Sequence, residues 1–125
     1  MKTIITDQAP KAVGAYSQGL LVGKTLYVSG QIPFVPETMT VVSQDIKDQT
    51  KQSLENVLGI VKAAGMTKEN IVRCTVYMTN LNDFPLMNEV YGAFFGEHKP
   101  ARAAVGIVAL PKGVQIEIDA IAIKE

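Results

Sequence analysis

The alternation of apolar and polar residues predicts a chain built mainly of strands. Six runs of this kind, bounded by turn-forming residues, predict an edge strand at 2–6, hairpin strands at 15–22 and 25–29, a strand at 71–78, and closing strands at 102–109 and 114–124. Gly23 and Lys24 form the hairpin turn, where glycine supplies a positive φ. The prolines at 33 and 36 indicate a loop after the hairpin.

Two segments instead repeat their apolar residues at helical spacing. The first has Ser43 or Asp45 as its N-cap and ends at Gly65, and its apolar face consists of Ile46, Thr50, Leu54, Val57, Leu58 and Val61. The second begins at Asn82 or Asp83 and has a proline in its first turn. The element order β-β-β-α-β-α-β-β predicts a single α+β domain over 1–125, with both helices packed on one face of a mixed sheet.

The last predicted strand is apolar on both of its faces. One face carries Ile116, Ile118, Ala120 and Ala122, and the other carries Ile121 and Ile123. The two helices cover one side of the sheet, and a domain of 125 residues has no further element for the other. A neighbouring copy of the chain could cover it, so the pattern predicts an oligomer.

Composition narrows the range of functions. The 12 basic and 12 acidic residues balance and form no basic patch, so we expect no nucleic-acid partner. The start of the chain has no apolar signal segment, and no run of 18 apolar residues occurs, so we expect no membrane partner. The single cysteine, Cys74, forbids an internal disulfide. These features predict a soluble, cytoplasmic protein.

The candidate chemistry lies near the end of the chain. Arg102 heads an otherwise apolar strand, and a guanidinium there must reach water or bind an anion. Glu117 and Asp119 follow on the last strand. An arginine that binds a carboxylate and a glutamate that directs a water indicate a small hydrolytic site. A structural ion pair of Arg102 with Glu117 or Asp119 explains the same residues, so both interpretations stay open.

Three other residues are of types that can serve in a functional site. Tyr16 lies in a polar segment flanked by glycines, which is typical of a ring that lines a pocket. Cys74, in the middle of a strand, is predicted to be a small buried hydrophobe. His98 lies near the end of the second helix, with no nucleophile predicted beside it. Since there is no cluster of cysteine and histidine, we expect no metal site.

The whole chain resembles the RidA family of reactive intermediate deaminases, also called the YjgF family. The resemblance rests on the order and spacing of several blocks: Ala9-Pro10, Gly14-Ala15-Tyr16-Ser17-Gln18-Gly19, Val28-Ser29-Gly30-Gln31-Ile32-Pro33, Gln52-Ser53-Leu54-Glu55-Asn56-Val57, Asn80-Leu81-Asn82-Asp83-Phe84, Pro100-Ala101-Arg102, Leu110-Pro111-Lys112 and Ile116-Glu117-Ile118-Asp119-Ala120-Ile121-Ala122. It implies a chorismate-mutase-like (ferredoxin-like) protomer in a homotrimer. Three sheets face inward as a barrel-like core, and the sites lie between subunits.

The resemblance also implies residue roles. Arg102 binds the substrate carboxylate and Glu117 holds the hydrolytic water, while the substrate-binding residues are Tyr16, Ser29, Gly30, Asn88 and Ala104. Many members carry cysteine at position 104, so Ala104 can act only through its backbone N–H or its small size. Members also often have a longer loop, with an aromatic residue, just before Pro100.

The implied activity is hydrolysis of 2-imino acids, such as 2-iminobutanoate and 2-iminopropanoate, to 2-keto acids and ammonia. It needs no metal or cofactor, and it protects pyridoxal-phosphate enzymes from these imines. One alternative is a non-catalytic module that binds a keto acid and regulates a partner. Another is an endoribonuclease or translation inhibitor, which the balanced charge disfavours.

Overall fold

The computed structural model describes residues 1–125. Along the chain lie β1 (Lys2–Ile4), β2 (Gly19–Val22), β3 (Thr25–Gln31), β4 (Phe34–Val35), β5 (Thr40–Val41), α1 (Ile46–Ala63), β6 (Ile71–Met78), α2 (Phe84–Phe95), β7 (Ala101–Gly106) and β8 (Ile116–Ile123). Six strands form one sheet in the order β1-β2-β3-β8-β6-β7, and β4 and β5 form a separate hairpin. Only the β6–β7 pair is parallel, so the sheet is mixed as predicted.

Both helices pack on the same face of this sheet, as the apolar patterns predict. Leu54 and Val57 of α1 and Met87 of α2 have no exposed surface. Asp45 is the N-cap of α1, where its carboxylate accepts hydrogen bonds from the backbone N–H groups of Lys47 and Asp48 at 2.8 and 3.1 Å. The predicted α+β fold is therefore confirmed, and Gly65, with φ 77°, follows the end of α1.

The start of α2 corrects one detail. Asp83 occupies the N-cap position, but its side chain makes no capping hydrogen bond. A short 3₁₀ turn over Leu81–Asp83 precedes the helix, and it is the side chain of Asn80 that accepts from the N–H of Asn82, at 3.0 Å. The predicted side-chain cap at Asn82 or Asp83 is not formed, and Pro85 in the first turn has no N–H that such a cap could accept from.

Two strand boundaries differ from the prediction by three residues or more, and the others by one or two at most. Strand β2 begins at Gly19 rather than at 15, because residues 15–18 form a loop whose polar groups bond elsewhere. Strand β7 ends at Gly106 rather than at 109, and Val108 beyond it is fully exposed. The β4–β5 hairpin was not predicted, since each of its strands has only two residues.

The second face of the sheet has no helix. Strand β8 buries Ile116, Ile118, Ala120 and Ala122 beneath the helices, as predicted. Its other face carries Ile121, opposite the half-exposed Tyr27 of β3. On the same side, Tyr77 of β6 lies opposite Val105 of β7. An oligomer that covers this face stays a prediction. Neither helix has the length and apolar character needed to cross a membrane.

Candidate active site in two halves

A hollow of about 550 Å³ lies beside Glu117, at the end of the helix-free face. Its wall contains Tyr16, Ser29 and Gly30, three of the residues that the family resemblance implies for substrate binding. It also contains apolar side chains from the segment after β3, among them Phe34. The structure thus brings four of the seven expected site residues together in one protomer.

A bulge in β3 produces the contact between Gly30 and Glu117. Val28 lies opposite Ala120 and Gln31 opposite Ile118, so β3 has one more residue than β8 over this stretch. Such a bulge re-aims the backbone locally. A Cβ atom on Gly30 would overlap Oε2 of Glu117 and would lie 2.7 Å from its Cδ. A side chain at position 30 would therefore displace the Glu117 carboxyl group, which occupies this space.

The environment of Glu117 makes it a stronger base than an ordinary glutamate. Partial burial, and then the negative charge of Asp119 two residues further on, raise the pKa of Glu117. Asp119 accepts a hydrogen bond of 3.0 Å from the Tyr77 hydroxyl. A carboxylate of raised pKa holds a proton more readily at neutral pH, as a general base for water requires.

The loop that carries Tyr16 is tied down by two polar residues. The Ser29 hydroxyl donates to the carbonyl of Ser17, and the Ser29 N–H donates to the carbonyl of Gln18 at 3.0 Å. The buried amide of Gln18 accepts from the N–H of Thr6 at 2.8 Å and donates to the carbonyl of Pro10 at 2.8 Å. Ser29 thus supports the wall, and Gln18 is a positioning residue that sequence reasoning missed.

Arg102 lies in a second hollow, of about 390 Å³, on the helix side of the sheet. It is directly paired with the buried Cys74, and paired residues on neighbouring strands share a face. Its Nη1 donates a 2.8 Å hydrogen bond to Oδ1 of Asn88. The guanidinium carbon lies 4.8 Å from the ring centre of Tyr91 and 5.4 Å from that of Phe84. These contacts orient the fork of the guanidinium before any anion arrives.

Arg102 forms no ion pair with Glu117 or Asp119 within one chain. The salt bridges of the protomer are Lys47–Glu89 and Lys51–Glu55, so no carboxylate of the same chain neutralises Arg102. Glu117 is level with Tyr77 on β6 and Arg102 is level with Cys74, and β6 lies between their two strands. Two strand spacings and three residues of rise put their Cα atoms about 14 Å apart, with the side chains on opposite faces.

The seven expected site residues therefore divide into two groups. Ala104 is directly paired with the buried Val76 and packs against the core on the same side as Arg102. Arg102, Asn88 and Ala104 form one group, and the residues around Glu117 form the other. A single chain does not bring the two groups together.

Cys74 and His98, the other two candidates, both contact the interior of the fold. Cys74 is fully buried, as predicted, and burial raises the pKa of its thiol to about 11, so it stays protonated at neutral pH. The Nε2 atom of His98 lies 2.6 Å from the carbonyl oxygen of Ile71 at the start of β6.

Two further residues of the Glu117 hollow have an unusual backbone. Met39 and Lys112, with φ of 56° and 60°, are the only non-glycine residues of positive φ in the protein, and both line this hollow. Sequence reasoning missed them because neither residue type favours the left-handed region, so no local signal marks the conformation.

The family model described as endoribonuclease L-PSP matches residues 6–124. The 2-iminobutanoate/2-iminopropanoate deaminase of Salmonella typhimurium is 49% identical over 126 residues, with 98% of each chain covered. Two solved Escherichia coli structures cover 100% of both chains: the YjgF gene product, with TM-score 0.97 and 48% identity, and TdcF with bound serine, with TM-score 0.96 and 46% identity. The chain belongs to the endoribonuclease L-PSP family, which is the YjgF/RidA family that its motifs resemble.

Proposed function

We propose that this protein hydrolyses reactive 2-imino acids, such as 2-iminopropanoate and 2-iminobutanoate, to 2-keto acids and ammonia. The observation that carries the proposal is the pair of complementary half-sites. One holds an oriented guanidinium without a carboxylate partner, and the other holds a carboxylate of raised pKa. The 49% identity to a protein named as a deaminase of these imines supports the same chemistry.

The proposed site is completed between two subunits of a homotrimer. Arg102, Asn88 and Ala104 of one subunit face Glu117, Tyr16, Ser29 and Gly30 of the next. The placement of the two side chains on opposite faces of the sheet, with Cα atoms about 14 Å apart, supports this arrangement, because one small imino acid cannot contact both groups of the same chain. The uncovered sheet face, with the half-exposed Tyr27 at its centre, supports it as well.

Each half then has a distinct task in the reaction. The fork of Arg102 binds the substrate carboxylate through two parallel hydrogen bonds, while Asn88 keeps one of its nitrogens in place. Glu117 takes a proton from water as the oxygen bonds to the imine carbon and the C=N electron pair moves to nitrogen. The protonated Glu117 then returns the proton to that nitrogen. As the C–N bond breaks and ammonia leaves, an electron pair of the hydroxyl oxygen forms the C=O bond of the 2-keto acid, and the hydroxyl proton passes to the Glu117 carboxylate.

This reaction requires little from the protein beyond the correct placement of the substrate and the water. A protonated imine carbon is already electrophilic, so positioning the water and the substrate supplies most of the acceleration. Ala104 contributes through its backbone N–H or its small size, since it has no functional group. Removal of the imines would protect pyridoxal-phosphate enzymes from attack, which is the cellular role that we propose.

The test is the formation of 2-keto acid from imines that an amino-acid oxidase generates in situ. We expect the wild-type protein to accelerate the reaction, and Arg102→Ala and Glu117→Gln to lower kcat/KM by about 100-fold or more. Lys51→Ala, which removes an exposed cation, is the matched control and should keep the full rate. A wild-type rate in Arg102→Ala would contradict the proposal. Saturable binding of 2-ketobutyrate without turnover would favour a binding module instead.

A further inference from the structure

The β4–β5 hairpin places a methionine in the Glu117 hollow. Residues 36–39 connect the two strands, and the N–H of Met39 closes the loop by donating to the carbonyl of Val35 at 2.8 Å. Met39 has φ 56°, in the left-handed region where a side chain crowds its own backbone. Glycine or asparagine is the usual residue at such a position. Methionine therefore strains the loop, and no local feature of the loop calls for it.

The side chain of Met39 nevertheless turns inward. Thr38 and Thr40 on either side are exposed, whereas Met39 is half-buried and lines the hollow together with Phe34 and Ile32. Met39 is therefore less exposed than its two neighbours because its side chain lies against the hollow. The strained backbone thus presents an apolar side chain to the cavity that contains Glu117, and strain of this kind is often associated with a functional site.

The support of the hairpin is rigid. Asn56 of α1 is fully buried, and its amide donates to the carbonyl of Ile32 at 3.2 Å and to that of Phe34 at 2.9 Å. The amide oxygen of Asn56 accepts in turn from Gln52 at 2.9 Å. The apolar wall is therefore held by the core helix and does not depend on the loop alone.

We propose that Met39 determines substrate specificity in the proposed deaminase by contacting the apolar side chain of the 2-imino acid. The inference rests on the proposed function for the class of substrate. A thioether on an unbranched chain adapts to flexible apolar groups better than a branched residue does. With Phe34 and Ile32 beside it, Met39 favours substrates with long unbranched apolar side chains over 2-iminopropanoate, whose methyl group reaches less of this wall.

The test compares Met39→Gly, Met39→Asn and Met39→Leu in the full-length, assembled protein. The kcat/KM is measured with imines generated from L-norleucine and from L-alanine, and calorimetry measures the Kd of 2-oxooctanoate and of 2-oxobutanoate. We expect Met39→Gly and Met39→Asn to lower the preference for the longer ligand by about tenfold. Met39→Leu, which keeps an apolar side chain, should hold the preference within about twofold. The Tm of the glycine and asparagine variants should not fall, because both residues tolerate the left-handed backbone.

An unchanged preference in both Met39→Gly and Met39→Asn would overturn the inference. A fall in Tm with equal losses for both ligands would overturn it too, since Met39 would then only pack the hairpin. If the wild-type protein showed no turnover, the proposed function would fail by itself. The ratio of the two Kd values would then decide whether Met39 selects the ligand.

Discussion

One methyl group added at Gly30 should displace the carboxylate of Glu117 and leave the fold intact. The new Cβ would lie 2.7 Å from Cδ of Glu117 and 3.2 Å from its Cγ. Non-bonded carbon atoms settle at about 3.5–4.0 Å, so the carboxyl group must retreat by about 1 Å. A displacement of that size costs about 100-fold in rate, which corresponds to about 2.7 kcal/mol of transition-state stabilisation.

The assay is the rate of 2-keto acid formation, measured beside thermal denaturation. We expect Gly30→Ala to lower kcat/KM by about 100-fold. Its Tm should change by less than about 4 °C, because the φ of Gly30 lies outside the left-handed region and alanine can adopt it. Activity and stability should therefore separate in this variant.

A double-mutant cycle with Glu117→Gln is the control. If the methyl group acts by moving the carboxylate, Gly30→Ala should lower the residual rate of Glu117→Gln by less than about threefold. The reasoning is refuted if Gly30→Ala keeps more than about a third of the wild-type kcat/KM, or if it costs the same 100-fold in the Glu117→Gln background.

Three other predictions follow from the same geometry. Mixing and reassembling equal amounts of Arg102→Ala and Glu117→Gln protein should restore about a quarter of the wild-type rate. The reason is that random pairing of subunits leaves one site in four with both groups intact. The absence of any recovery would indicate that both groups act within one subunit. In the proposed mechanism Glu117 acts as a base only when deprotonated, so activity should fall as pH drops through its raised pKa. Asp119→Asn removes a charge that raises this pKa and should shift the acid limb of kcat/KM to lower pH; an unmoved limb would contradict this. Asn56→Leu leaves two carbonyls without their donor and should lower the unfolding free energy by about 2–4 kcal/mol in urea; unchanged stability would show that another contact holds the hairpin.

The elements that could be predicted are those whose pattern is local. The alternation in β6 and β8 and the helical spacing in α1 each arise from neighbouring residues that share one face, and the structure confirms these elements. Asp45 was among the predicted caps because an N-cap is a contact between residues two or three apart.

The features that could not be predicted depend on contacts between residues that are distant in the sequence. The sequence places β7 just before β8, which suggests that Arg102 and Glu117 are neighbours, but β6 pairs between the two strands. The start of β2 depends on Gln18, whose partners lie 8 to 12 residues away along the chain. Met39 adopts a left-handed backbone conformation that methionine disfavours, so its conformational propensity does not predict a turn at this position.

The placement of the two half-sites on opposite faces has a genetic consequence. In the closed ring that we propose, every chain would contribute to two reaction centres, with its arginine in one and its glutamate in the other. A chain defective in both groups would thus silence two centres when it joins healthy partners. Random assembly of such a chain with an equal amount of the normal chain would leave about one centre in four intact, so the defective allele would remove more than half of the activity.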